Sequence, residues 1–208
     1  VSLAQRRWVS DAVAGGPPTP RPPIPAPGSL DGKGVVATGG RTVLSAVVII
    51  RQAADEDWPL IYPFYAAIMA EGKTYAFPEE QTLEQARPWW MEPPPGQTVV
   101  AVSDGIITGS AKMGPNRPGR GSHVATASFL VDPGRQGEGT GRALGQYVLD
   151  WCRSAGFAAI QFNAVVETNT AAAHLWTSLG FTIIGTVPAA FDHPDDGKVG
   201  LHIMYRRL

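Results

Sequence analysis

The chain has 208 residues, 44% of them hydrophobic, and a formal net charge of −1, which allows one sizeable core but falls short of two full domains. The charge balance excludes the basic stripe of a nucleic-acid binder, and no apolar run approaches the roughly 20 residues of a membrane-spanning helix. The single cysteine, Cys152, excludes an internal disulfide and a cysteine metal cluster. It falls on the apolar side of an expected helix and reads as a small buried hydrophobe. These features fit a soluble, cytoplasmic protein with no metal site.

Residues 1–42 differ from the rest. "GGPPTPRPPIPAPG" forms neither helix nor interior strand, because proline lacks the N–H and fixes φ. The segment reads as a Pro/Gly-rich linker or disordered tail, with the folded domain over 43–208. "TVLSAVVIIRQA" is β-branched and strand-like. "DEDWPLIYPFYAAIMAEG" spaces Ile61, Phe64, Tyr65 and Ile68 as a helix does, with Asp55 or Asp57 as cap and the prolines near its start or at a kink. "TLEQARPWWM" is a second short helix, with Thr82 and Gln85 at capping-box spacing.

Three short strands follow, "QTVVAVSD", "GIITGSAKM" and "HVATASFLVD", the first two joined by the turn dipeptide Asp104-Gly105. "RQGEGTGRAL" then opens a helix that keeps Leu144, Tyr147, Val148, Trp151 and Ala155 on one face and ends at Gly156. "FAAIQFNAVVE" is a strand and "NTAAAHLWTSLG" a helix running from Asn169 to Gly180. "FTIIGTV" and "VGLHIMYRRL" are the last strands, with "FDHPDDGK" as their loop. The order is β-α-α-β-β-β-α-β-α-β-β.

The glycine stretch raises two readings: a plain tight turn, or a backbone that comes close to a ligand. A helix that starts just after a strand ending at Val131 exposes unpaired N–H groups and the positive end of its dipole, an anion site. Gly137, Gly139 and Gly141 remove side-chain bulk there, and Arg135 and Arg142 add positive charge. A P-loop is excluded because no Lys-Ser/Thr pair follows. A Rossmann fingerprint is excluded because Leu144 stands where its last glycine belongs and the preceding strands read as antiparallel.

Gln136, Gly139 and Gly141 resemble the coenzyme A loop of the GCN5-related N-acetyltransferase (GNAT) superfamily. A second set, Asn169, Ala172, Leu175, Trp176, Gly180 and Phe181, matches that superfamily's downstream signature in spacing, with Trp176 where a tyrosine is usual. The resemblance covers about four fifths of the chain. It implies an α/β (α+β) GNAT fold: a mixed, mostly antiparallel sheet of about seven strands flanked by about four helices. It implies acetyl transfer from acetyl-CoA to an amine. The cofactor would lie on Gln136, Gly137, Glu138, Gly139, Thr140, Gly141 and Arg142, with Asn169 and Trp176 beside it. A main-chain N–H among Phe129, Leu130 and Val131 would bind the oxyanion, and a splay between that strand and the next would admit the pantetheine arm.

Glu167 and His123 are the candidate bases, because an alkylammonium pKa of ~10 leaves about one amine in a thousand reactive at neutral pH. Tyr75 falls in the acceptor wall of this superfamily, and Thr126 and Asn163 alternate with apolar residues along their strands, positions from which a side chain reaches a cleft. The resemblance is to a branch that acts on small amino acids and related amines. A protein or peptide amine is the second acceptor class. A non-catalytic acyl-CoA-binding module is the alternative outside the enzymes, and a homodimer is among the assemblies such a chain can form.

Overall fold

The computed structural model describes residues 48–208; the expected tail, and the first residues of the expected first strand, lie outside the described residues. Strand β1 (Ile49–Gln52) leads to helix α1 (Trp58–Glu71) and helix α2 (Leu83–Trp90). Strands β2 (Gln97–Ser103), β3 (Ile106–Pro115) and β4 (Val124–Val131) follow, then α3 (Thr140–Ser154), β5 (Ala159–Val166), α4 (Thr170–Ser178), β6 (Thr182–His193) and β7 (Gly197–Arg207). The element order is the expected one, and the seven strands form one sheet in the order β1-β2-β3-β4-β5-β7-β6.

Local signals explain most boundaries. The α2 capping box forms, with Gln85 N–H donating to Thr82 Oγ1 at 3.3 Å and Thr82 N–H to Gln85 Oε1 at 2.9 Å. Asp104 and Gly105 both take positive φ, 51° and 76°, as a two-residue hairpin turn between β2 and β3 demands. Gly72, at the end of α1, is left-handed with φ 68°. Pro59 lies in the first turn of α1 and Pro63 inside it.

Two expectations need correction. Asp57 precedes α1 but its side chain does not cap that helix. Its carboxylate accepts from Arg51 Nη1 and Nη2 at 2.6 and 2.8 Å and from Ala54 N–H at 2.7 Å, so it ties β1 to the start of α1. The last hairpin is also longer than its composition suggests. β6 continues through Phe191, Asp192 and His193, which pair with Val199, Lys198 and Gly197, after a register break at Pro188–Ala190 where Ala189 takes φ 51°. The remaining connection is the turn Pro194–Asp196.

The sheet separates two cores. On one face Leu144, Val148, Leu149 and Cys152 of α3 and Trp176 of α4 pack on Ala125, Ile160, Phe162 and Met204. The inward stripe of α3 therefore runs through Leu149 and Cys152, with Tyr147 and Trp151 at its margin. Burial pushes the Cys152 thiol up to about 12, so it stays protonated. On the other face Trp58, Ile61, Tyr65 and Met69 of α1 and Trp90 of α2 pack on Val100 and Leu130. Among the described residues no helix is long and apolar enough to cross a membrane.

Asp57 gives the first prediction. The Arg51 guanidinium holds its carboxyl below the ordinary carboxylate range, more than burial raises it. A lowered native pKa stabilises the fold above the unfolded value near ~4 and loses that contribution as pH falls through the native value. Asp57→Asn should cost about 1–2 kcal/mol at pH 7, with Arg51 half exposed to solvent. In thermal melts the gap between wild type and variant should shrink below pH 4.

Candidate active site

The site begins where two parallel strands part. β4 and β5 are parallel neighbours of eight residues each, yet they pair only at Val124–Ala159 and Ala125–Ile160. Beyond those two rungs they diverge into a V. The edge of β4 inside the V is defined by its pairing with β3. Asn116 N–H donates to Val124 O and Asp132 N–H to Thr108 O. By the alternation of an antiparallel ladder, the even-numbered residues of β4 therefore bond to β3. The odd-numbered Ala127, Phe129 and Val131 turn their N–H and C=O groups into the V. Of the three residues expected to offer a main-chain donor, Phe129 and Val131 face the cleft, while Leu130 is spent on Ser110 of β3 and buries its side chain under α1.

One side chain already engages that edge. Tyr75, in the loop between α1 and α2, accepts from Phe129 N–H at 3.0 Å and donates to Phe129 O at 2.7 Å. Burial of its hydroxyl pushes the phenol well above its ordinary pKa, so it is neutral at any working pH.

An aromatic wedge fills the other side of the opening. The Trp176 ring lies 4.4 Å from Phe129 of β4 and 5.0 Å from Phe162 of β5, centroid to centroid. Phe162 stacks in turn on Phe181 at 4.3 Å. A large ring wedged between the two strands suits their divergence, and it gives Trp176 a packing role independent of any chemistry.

The wide end of the V meets the start of α3. Gly139 precedes that helix with φ 88° and no side-chain cap. The first helical bond is Ala143 N–H to Gly139 O, so the amides of Thr140, Gly141 and Arg142 have no partner within the helix. The three glycines of this loop serve different ends. Gly137 and Gly139 hold positive φ, and a Cβ on either would meet nothing within 4 Å, so the space beside them is open. Gly141 is a packing glycine: its Cβ would lie 3.3 Å from Leu175 and 3.6 Å from Val131. The arginines are held, Arg142 by Ser178 at 2.8 Å and Arg135 beside Glu138 at 3.7 Å. Open space, free amides and net positive charge fit a diphosphate, and the uncovered β4 edge fits an amide-bearing arm such as pantetheine.

The opposite face of the V, under α1 and α2, is polar at its narrow end. Asn163 donates to Asn116 Oδ1 at 2.7 Å and to Thr126 Oγ1 at 3.4 Å, and Gln161 donates to Asn163 Oδ1 at 2.8 Å. Thr126 and Asn163, each expected to reach a cleft from its own strand, are thus in contact on this face. Asn116 and Gln161 join them unforeseen; alternation along β5 places Gln161 with Asn163, but nothing local marks Asn116. The β6–β7 turn reaches this side too. Lys73 pairs with Asp195 at 2.8 Å, and His193 accepts the N–H groups of Asp195 and Asp196 at 3.3 and 3.2 Å.

The remaining expected residues are dispersed. Asn169 caps α4 by accepting Ala172 N–H at 3.1 Å. Glu167 is exposed at the end of β5, with Oε2 accepting Gly200 N–H at 2.8 Å. His123 is exposed ahead of β4, with Nδ1 3.1 Å from Arg120 O. It lies six residues before Phe129 along an extended strand, roughly 20 Å at ~3.3 Å per residue. The structure does not bring the two candidate bases together.

Residues 55–181 match the family model described as acetyltransferase (GNAT) family. A GCN5-related N-acetyltransferase from Kribbella flavida is 57% identical, superposes with a TM-score of 0.75, and is matched over 98% of its length and 77% of this chain. N-acetyltransferase aca1 of Schizosaccharomyces pombe is 37% identical over 84 residues, 40% of each protein. Protein SPT10 of Saccharomyces cerevisiae is 35% identical over 98 residues, 43% of this chain and 15% of that protein. The chain thus spans well under two thirds of the length of these curated relatives.

The loop geometry predicts how the site fails. Gly139→Asp puts a carboxylate into the open space beside the free amides, at a φ that disfavours any Cβ. Acetyl-CoA should raise the melting temperature of the wild type, as any ligand of the native state does, and should leave that of the variant unmoved. A shift of equal size in both proteins would place the diphosphate elsewhere.

Proposed function

This chain belongs to the acetyltransferase (GNAT) family, and from that premise we propose that it moves an acetyl group from acetyl-CoA to the amine of a small molecule, an amino acid or a related compound. The observation that carries the reading is the continuous track from the free amides of α3, along the uncovered edge of β4, to Phe129. The family uses acetyl-CoA, which supplies the activated acetyl group. The amides of residues 140–142 and the open space beside Gly137 and Gly139 hold the diphosphate. Val131 offers its main-chain groups to the arm. Phe129 N–H is the donor placed to bind a carbonyl oxygen that gains negative charge during transfer.

The acceptor approaches from the face that carries Tyr75, Thr126 and Asn163. There the α1–α2 loop and the β6–β7 turn are tied by Lys73 and Asp195, which narrows the mouth and supports a small acceptor over a folded protein. Glu167 and the row formed by Asn116, Thr126, Gln161 and Asn163 are the groups proposed to draw off the ammonium proton, Glu167 directly or the row through water. Trp176 cannot protonate the leaving thiolate, since an indole N–H is no acid in this range. With a thiol pKa of ~8.5 the free thiolate is only about 2 kcal/mol uphill at pH 7, so it leaves unaided. A homodimer would use the outer edge of β6, where Ile183, Ile184 and Val187 are exposed.

Release of free CoA across amino acids, polyamines and aminoglycosides tests the reading. Turnover is expected with at least one amino acid or close relative. Turnover confined to proteins, identified by mass spectrometry of modified chains, would move the acceptor to the protein class. Binding without turnover would leave a cofactor-binding module. With the preferred amine, kcat/KM should rise from pH 6 to about 9 and show no alkaline fall in that range. An alkaline limb abolished by removing one titratable side chain would assign an acid after all.

A further inference from the structure

The hydroxyl of Tyr75 sits where a substrate oxygen belongs. Phe129 N–H lies on an edge of β4 that β5 leaves uncovered, and its partner is a phenol oxygen 3.0 Å away. A thioester oxygen bound to the same N–H would come to about 2.7–3.1 Å of the same nitrogen. Two oxygens cannot both lie on that axis, so one must yield. We propose that the Tyr75 hydroxyl is a stand-in for the thioester oxygen, surrendered to the acetyl group of acetyl-CoA and restored with product CoA, so that the acceptor wall opens only in front of an acylated cofactor. The inference rests on the acetyl-CoA reading above and concerns what that site distinguishes.

Two observations support an exchange. The phenol donates to Phe129 O as well as accepting from its N–H, so it mimics a strand partner and can be replaced by one. Tyr75 also belongs to the acceptor wall. Its ring packs on Phe77 at 5.2 Å and edge-on to Trp90 at 6.2 Å, and Lys73, two residues earlier, anchors the same loop to the β6–β7 turn. Moving the phenol off Phe129 therefore shifts the segment against which an amine must lie. Product CoA ends in a thiol with no acyl carbonyl on the sulfur, so at Phe129 it offers nothing to trade for the hydrogen bond.

The test compares acetyl-CoA with S-ethyl-CoA, a thioether of the same length that lacks the carbonyl oxygen. Calorimetric Kd values are measured on wild type and on Tyr75→Phe, which keeps the ring and removes the hydroxyl. Acetyl-CoA should bind the variant about 3- to 10-fold more tightly than the wild type, the range of one exchanged hydrogen bond, and S-ethyl-CoA should bind both alike. Acetyl-CoA affinity that is unchanged or weaker in the variant, or equal shifts for the two ligands, would overturn the exchange. Should the variant not fold, the wild type decides. With 15N-phenylalanine labelling, the Phe129 amide resonance should move with acetyl-CoA and stay in place with S-ethyl-CoA; the same response to both overturns the proposal. Failure of both ligands to bind the wild type would remove the cofactor reading and this inference with it, whereas the preceding outcomes remove this inference alone.

Discussion

A strand that leaves its parallel neighbour after two rungs exposes main-chain groups that cost about 1–3 kcal/mol each if buried without partners. That constraint organises the site. β4 parts from β5 beyond Ala125 and Ile160, so Ala127, Phe129 and Val131 carry an unmet requirement for hydrogen bonds. At Phe129 the requirement is met by Tyr75 from the α1–α2 loop. The opening is supported from the other side by Trp176, which contacts both Phe129 and Phe162. The substitution of tryptophan for the usual tyrosine thus exchanges a polar tip for a larger ring at a place where ring volume separates two strands.

The start of α3 lies at the wide end of this opening because glycines let the helix come close. A Cβ at Gly109 would lie 2.8 Å from Thr140 and from Leu130 O, and one at Gly145 would lie 2.6 Å from Leu179. Close-packed interiors do not absorb such overlaps without displacement. With both positions bare, α3 settles onto β3 and α4, and its first amides point where the strands diverge. The loop glycines that face open space and the packing glycines beneath them are therefore parts of one arrangement.

The acceptor side is held differently. Lys73 and Asp195 are both exposed, and such a pair contributes little to stability. Its effect is positional: it sets the β6–β7 turn beside the α1–α2 loop, across the mouth from the polar row at Thr126 and Asn163. The same loop is fixed on α1 by Tyr62 and Tyr65, whose hydroxyls donate to Gln81, and by the packing of Phe77 on Trp89.

The sequence by itself determined the order of the elements, the Thr82–Gln85 capping box, the Asp104-Gly105 turn and the glycine-rich start of α3, because each follows from contacts within a few residues. It also carried the family resemblance through the Gln136–Gly141 loop and the Asn169–Phe181 helix. Tertiary structure alone decided the rest. Pairing with β3 turned Phe129 and Val131 into the cleft and Leu130 away from it. Packing on Leu175 and Val131 separated the purpose of Gly141 from that of Gly137 and Gly139. The ladder with β7 lengthened β6 past the expected turn, and the ion pair with Arg51 drew Asp57 away from capping α1. Tyr75 and Phe129 stand 54 residues apart in the chain, and no local pattern encodes a hydrogen bond that exists only where two parallel strands fail to meet.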